Sequence, residues 1–478
     1  MLTIKDNIKS YLSFSLGPWI SAGISLVTTP IITWLINPSE YGIAQMFNTV
    51  YVLAFLVATS TIEQGFIRYY YEIDIKQRAV LFRKCIKYSL VVIIFESIII
   101  LAAWKNISYL ILNDESFIIA LLLLGTIIIG SMNYFATTLV RMNNKGVSFS
   151  LIYILQALTN SLLIILISIC VSDTYLSVIV AQLFSFLFSF MLAVYFERRV
   201  WFGYSESNFM FDMKKIIVYG IPFFPSLLIY QAFNFVDRFS IRYFSDINSL
   251  GIYSIAFKFT AIFMLMQKSF GAFWAPIAYK AYSEEKCNYK YFENIFFLLS
   301  IILFASFSIM LSLKDILIFI LNEKYYESVN IFPCLMFVPI MYMLSEVTVL
   351  GINFSKNTYW HIFISISCLI INVLTHVSMV PKFGAKGAAF ATGLSFIAFF
   401  VLRTVISSKY YFADYKIFKT IITVILLYLA SAYVTFFSEE NVSYYFTAIL
   451  LIIIYIFYRN EIYFFYQQLL LLIKKTKS

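Results

Sequence analysis

Apolar stretches long enough to cross a bilayer recur along the whole of this chain, and that pattern excludes most folds. A helix rises about 1.5 Å per residue, so a hydrocarbon core of roughly 30 Å takes about 20 residues to cross. About fourteen such stretches are read, at residues 12–36, 43–62, 88–112, 116–140, 149–171, 175–196, 216–244, 250–273, 292–320, 331–355, 359–380, 384–407, 416–437 and 443–459. Of 478 residues, 61% are hydrophobic and 13% charged, more apolar surface than a soluble globule could hide. The expected fold is an all-α membrane protein with short connections and no sizeable soluble domain. The first stretch follows Lys5 and Lys9, outruns a signal peptide and lacks a small-residue cleavage site, so it is read as a retained span.

A net charge of +10 raises the question of nucleic acid, and the placement of the charge answers it. With the N-terminus assigned to the cytoplasm, 26 of the 35 lysines and arginines fall on that terminus, on the loops after even-numbered spans or on the C-terminal tail. Arg68, Arg141, Arg198, Arg199 and Arg403 are among them. Five fall on the opposite side (Lys105, Lys314, Lys324, Lys382 and Lys386), and four lie inside spans (Arg238, Arg242, Lys258 and Lys268). This is the positive-inside pattern. It places both termini in the cytoplasm, calls for an even number of spans and gives nucleic acid no role; Lys382 and Lys386 fit it least well. Cys85, Cys170, Cys287, Cys334 and Cys368 are scattered without CxxC spacing, so neither a disulfide framework nor a metal site is expected. The aromatic share of 19% matches interfacial belts and also a general bias of composition.

A charged connection at 197–215, with Arg198, Arg199, Glu206 and Lys215, separates six spans from eight. The stretches flanking it look related. Gly17-Pro18 leads through one span to Pro38-Ser39-Glu40-Tyr41-Gly42; Gly220-Ile221-Pro222 leads through another to Asn248-Ser249-Leu250-Gly251. Gly42 and Gly251 are 209 residues apart, and Gly65 and Gly271 are 206 apart. Two parallel six-span copies follow from this reading, at 1–205 and 206–410, with two further spans and a tail at 411–478. Paired repeats in transporters commonly hold the substrate site between them.

Ionisable groups inside spans are costly and need a partner or water. Span seven holds most of them. Gln231, Asn234, Arg238 and Arg242 share one helical face, and two arginines at i,i+4 repel unless an anion joins them. The planar guanidinium suits phosphate. Asp237 and Lys258 reach similar depth, so an ion pair that only joins two helices is an equal reading, and Arg242 has a route to the outer interface by snorkelling. Arg68 and Glu63 with Gln64 mark the inner end of span two, and Lys268 the inner half of span eight; they suit a cytoplasmic mouth or simple anchoring. Glu96 and Glu346 lie deep in spans, as proton or cation sites or as hydrogen-bonded buried carboxyls. His361 and His376 read as packing residues. Gly17-Pro18, Pro222 and Pro225 loosen helix ladders. There is no Walker loop, GxSxG, HExxH or large outer loop, so an enzyme is not expected, and no cofactor is called for.

Three segments taken together resemble one family. They are Gly17-Pro18 through Thr29-Pro30 to Pro38-Ser39-Glu40-Tyr41-Gly42; Asp237-Arg238-Phe239 followed by Leu250-Gly251-Ile252-Tyr253-Ser254; and Pro381-Lys382-Phe383-Gly384-Ala385-Lys386-Gly387. The chain resembles the Wzx-like O-antigen flippases of the multidrug/oligosaccharidyl-lipid/polysaccharide (MOP) exporter superfamily, over nearly its whole length. The resemblance implies two six-helix bundles in a V, alternating between inward- and outward-facing states, plus two C-terminal helices. It implies an undecaprenyl-pyrophosphate-linked oligosaccharide as cargo, carried to the outer leaflet of a bacterial inner membrane, with a polysaccharide polymerase and a chain-length regulator as partners. Arg238, with Arg242 or Lys258, is the expected attraction for the pyrophosphate. The rivals are a multidrug exporter, which a cationic face disfavours, and a membrane-embedded polymerase or ligase.

Overall fold

The computed structural model describes residues 4–203, 212–284, 289–437 and 442–477. Glu206, the expected boundary at 205/206, Lys286 and Cys287 lie outside the described residues. All regular structure among them is helical, because backbone polar groups in lipid must find partners within their own segment. Among the described residues twelve helices are long and apolar enough to cross a membrane, or thirteen when the bent pair Ile247–Phe259 and Ala261–Ser283 counts as one span. This is a multi-pass membrane protein. Two expected spans, 359–380 and 384–407, fall in a single 50-residue element, Tyr359–Ser408. Its helical run breaks at Gly384, with φ 53° and ψ −128°. That conformation is closed to residues with a Cβ, and roughly 25 residues remain on each side, enough for a crossing each.

The chain divides into two compact units, Met1–Arg242 and Tyr243–Ser478. In the first unit, the opening helix Ile4–Leu35 packs along Gly146–Cys170. Small residues let the two backbones approach, as expected where the apolar driving force is weak. Gly17 N donates to Ser150 Oγ at 2.9 Å, and Thr28 Oγ1 donates to Ser161 Oγ at 2.9 Å. Helix Pro38–Thr59 starts with proline at its first turn and stops at Ser60 and Thr61, both left-handed with φ 46° and 54°. Non-glycine residues hold that conformation only where their surroundings impose it. Here Thr61 Oγ1 donates to the carbonyl of Gly220 at 2.8 Å. The short helix beyond, Ile62–Tyr69, lies against Met213–Gly220. A Cβ on Gly65 would stand 2.5 Å from Ile216 Cγ2, and one on Gly220 2.6 Å from the Thr61 carbonyl oxygen. Glycine at both positions makes this crossing possible.

In the second unit the Glu323–Thr348 segment is the most enclosed, with 89% of its span window buried. It carries Glu346 and packs against Tyr359–Ser408. Gly271, the expected counterpart of Gly65, has nothing within 4 Å of an added Cβ. Lys105, Lys314 and Lys386, all expected on the outer side, hold carboxylates. Lys105 lies 2.8 Å from Glu115, Lys386 lies 3.5 Å from Glu327, and Lys314 pairs with Asp315. These exceptions to the charge pattern are thus neutralised locally.

Candidate functional site

Span seven is interrupted. Met213–Gly220 ends at Ile221-Pro222, where proline supplies no N–H, and Phe223–Phe244 continues the crossing. Asn234 Nδ2 donates to Gln231 Oε1 at 3.4 Å, one turn apart. Arg238 and Arg242 follow, both half-buried, beside stacked Phe235 and Phe239 rings 5.2 Å apart. Asp237 is buried at 4% exposure. Arg242 Nε donates to the carbonyl of Leu110 at 3.1 Å. Leu110 lies in the last turn of Trp104–Leu112, where carbonyls lack helical partners and the helix dipole favours a cation. One edge of Arg242 therefore ties span seven to the end of that helix.

Lys258 is half-buried in the last turn of Ile247–Phe259 and belongs to the second unit, whereas Asp237, Arg238 and Arg242 belong to the first. Lys268 is exposed on Ala261–Glu284. Arg68 is exposed, pairs with Glu72 one turn on, and lies 6.0 Å from the Tyr69 ring.

The carboxyls differ from one another. Glu63 is 4% exposed in the first turn of Ile62–Tyr69. Its Oε1 accepts from Gln64 Nε2 at 3.3 Å, and its buried Oε2 accepts no hydrogen bond among the described residues. Burial pushes its pKa above the ordinary carboxylate value, and the Arg141 charge opposes this only in part. Glu96 is buried on Ile75–Ala102, and its Oε2 likewise accepts no hydrogen bond among the described residues. Glu346 is ion-paired with Arg403 at 3.2 Å. His361 Nε2 meets Asn353 Oδ1 at 2.8 Å, and His376 Nδ1 meets the carbonyl of Asn372 at 2.8 Å. Among the described residues no group of three or more His, Cys, Asp or Glu side chains is placed to hold a metal ion.

Two clusters escaped the reading of the sequence. In the first unit, Asn133 Nδ2 donates to Gln156 Oε1 at 3.5 Å, and Tyr134 packs edge-on to Phe55 at 5.4 Å. Glu63 and Arg141 both act electrostatically on Tyr134. The signal available was two pairs of polar residues inside otherwise apolar spans. In the second unit, Arg403 is 7% exposed and bonded to Ser345 and Glu346. Charge counting assigned it to the cytoplasmic edge; the fold encloses it, and a carboxylate 57 positions earlier makes that burial tolerable.

A family model described as "Polysaccharide biosynthesis protein" matches residues 8–278. No curated protein matches the sequence. Among solved structures, the lipid II flippase MurJ in an inward closed conformation is 17% identical with a TM-score of 0.66, covering 96% of this chain and 99% of its own. An inward-facing multidrug resistance MATE family transporter of the MOP superfamily is 14% identical with a TM-score of 0.61, covering 82% and 97%. A MOP superfamily transporter from Pyrococcus furiosus, described as having a binding pocket of reverse polarity, is 14% identical with a TM-score of 0.52, covering 84% and 95%. At these identities the structures share the fold, and the family match covers more than half of the sequence. The chain is a member of the polysaccharide biosynthesis protein family, built on the all-helical fold of MOP superfamily transporters.

Proposed function

We propose that this protein is a flippase that moves undecaprenyl-pyrophosphate-linked oligosaccharide, an O-antigen or capsule repeat unit, from the cytoplasmic to the outer leaflet of a bacterial inner membrane. The observation that carries the reading is the face of span seven, where Gln231, Asn234, Arg238 and Arg242 put fixed positive charge and amides on a membrane-crossing helix. A pyrophosphate leaving water needs such donors, and the lipid tail can stay in the bilayer while the head group crosses. Membership of a polysaccharide biosynthesis family supports the sugar, and a fold shared with a lipid II flippase supports a lipid-linked cargo.

In this reading Arg238 attracts the pyrophosphate, with Arg242 or Lys258 assisting, and Arg68 and Lys268 serve the cytoplasmic mouth. Asp237, Glu63, Glu96 and Glu346 serve as coupling or structural carboxylates. The halves 1–205 and 206–410 alternate in access, with 411–478 appended and both termini cytoplasmic. A polysaccharide polymerase and a chain-length regulator act on the product. The test is a leaflet-resolved assay of labelled lipid-linked sugar in a deletion strain complemented with Arg238→Ala. The expected outcome is normal protein in the membrane with lipid-linked oligosaccharide retained on the cytoplasmic side. Normal surface polysaccharide in that strain would reject the role of Arg238, and single repeat units gathering in the outer leaflet of the deletion strain would favour a polymerase.

A further inference from the structure

The first unit sets uncharged amides into four of its membrane-crossing helices. Gln182 Nε2 of Tyr175–Phe196 donates to Asn48 Oδ1 of Pro38–Thr59 at 3.2 Å, and Asn133 Nδ2 of Phe117–Met142 donates to Gln156 Oε1 of Gly146–Cys170 at 3.5 Å. Aromatic rings link the two pairs. Tyr51 packs 5.9 Å from Phe186 and 5.8 Å from Phe55, and Phe55 meets Tyr134 edge-on at 5.4 Å. Asn48 and Phe55 are seven residues apart on one helix, so the run covers about 10 Å of its length. Asn48, Phe55, Tyr134, Gln156 and Gln182 are all half-buried and keep solvent-accessible surface.

Amides that served only to join helices would be sealed between them. Here three of the four are accessible, and each pair shares one side-chain hydrogen bond. An amide has two N–H donors and an oxygen with two lone pairs, so most of this capacity is unspent. Accessible amides facing oil are costly, so the face they form looks onto water. The groups are neutral, unlike the arginine face of span seven. Amides both donate and accept, as sugar hydroxyls do, and aromatic rings cover the apolar C–H faces of a sugar. A purely apolar ligand would leave the amides unpaired. We propose that Asn48, Gln182, Asn133 and Gln156, with the rings of Phe55 and Tyr134, form a neutral carbohydrate-binding subsite in the first unit. The subsite rests on the flippase reading above, since its ligand is the sugar part of that cargo. Span seven attracts the phosphate common to every such lipid, and the amides select which sugars accompany it.

The test measures binding of two probes to the purified full-length protein in detergent: sugar-free undecaprenyl pyrophosphate, and the lipid-linked oligosaccharide extracted from the deletion strain. The parent is expected to bind the second about tenfold more tightly than the first. Gln156→Ala and Gln182→Ala should each lose most of that difference while keeping their affinity for the sugar-free lipid, because one hydrogen-bonding partner is worth about tenfold. Arg238→Ala should weaken both probes alike, which separates this subsite from span seven. Variants at Gln156 and Gln182 that weaken both probes equally, or leave both unchanged, overturn the subsite. A parent that binds the two probes with equal affinity also overturns it and leaves the flippase reading standing, whereas a parent that binds neither overturns both. Should the two variants fail to fold, the parent decides. Free oligosaccharide, released from the lipid by mild acid and added in excess, is expected to displace the lipid-linked probe, and no displacement overturns the subsite.

Discussion

Arg242 in the first unit and Arg403 in the second are both set into membrane-crossing helices, and their surroundings treat them differently. Arg242 is half-buried, and its Nε is spent on the carbonyl of Leu110 at a helix end. Arg403 is almost fully enclosed; its Nη1 is spent on Ser345 and Glu346, and its buried Nε meets no acceptor among the described residues. The first is a half-buried cation capping a helix end. The second is a cation whose burial depends on one carboxylate. The lesson is that two arginines equally conspicuous as charges differ in what the fold asks of them, and the difference lies in their partners rather than in their spans.

The largest expected effect follows from that dependence. Glu346→Ala leaves the buried Arg403 uncompensated and should cost about 3 kcal/mol of stability in a denaturant titration in detergent. Arg242→Ala removes one charge-assisted hydrogen bond from a half-buried side chain and should cost less, about 1.5 kcal/mol. If the order is reversed, the contrast between the two arginines is wrong. Between them falls a backbone test of the same two units. Gly65→Ala pushes a Cβ into Ile216 and should cost about 2 kcal/mol, whereas Gly271→Ala, with open space around it, should gain about 0.5 kcal/mol from lower chain entropy in the unfolded state. Equal effects at the two glycines would mean that the paired positions share a structural role after all.

A smaller effect belongs to Glu63, where burial raises the pKa. Folding favours its proton-bound form, so the stability it contributes is present below the ordinary carboxylate range and is lost as pH rises through the raised value. Unfolding curves of the parent and of Glu63→Gln should meet at acid pH, with the parent falling below the variant as pH increases; a parent that gains on the variant would reverse the sign. The smallest effect is at Lys105 and Glu115, both more than half exposed. Lys105→Gln should change stability by about 0.5 kcal/mol or less, and added salt should erase the difference.

Much of the fold could be read directly. Helices and their approximate places follow from apolar length, including separate crossings at 359–380 and 384–407. The face of Gln231 and Asn234 was legible because helical spacing alone brings them together. Arg403 was not legible as a buried group, since five residues from a helix end it looks like any interfacial arginine; its burial depends on Ser345 and Glu346, more than fifty positions earlier. The elbow at Ser60 and Thr61 was hidden for a similar reason. Neither residue favours a left-handed backbone, and the conformation is held by the carbonyl of Gly220, 159 positions away. The Glu63, Tyr134 and Gln156 neighbourhood joins three helices, and no local pattern announces it.

Membrane residence and an all-helical build were settled by the sequence alone, because oil offers a peptide group no partner and only a helix supplies one within a single segment. The linear chain equally settled how many charges had to be accommodated. Tertiary packing alone decided which of those charges are spent on structure, which backbones touch through glycine, and which guanidinium is enclosed. Pairing between polar groups is short-ranged in space and indifferent to distance along the chain, so it comes into being only when the helices meet.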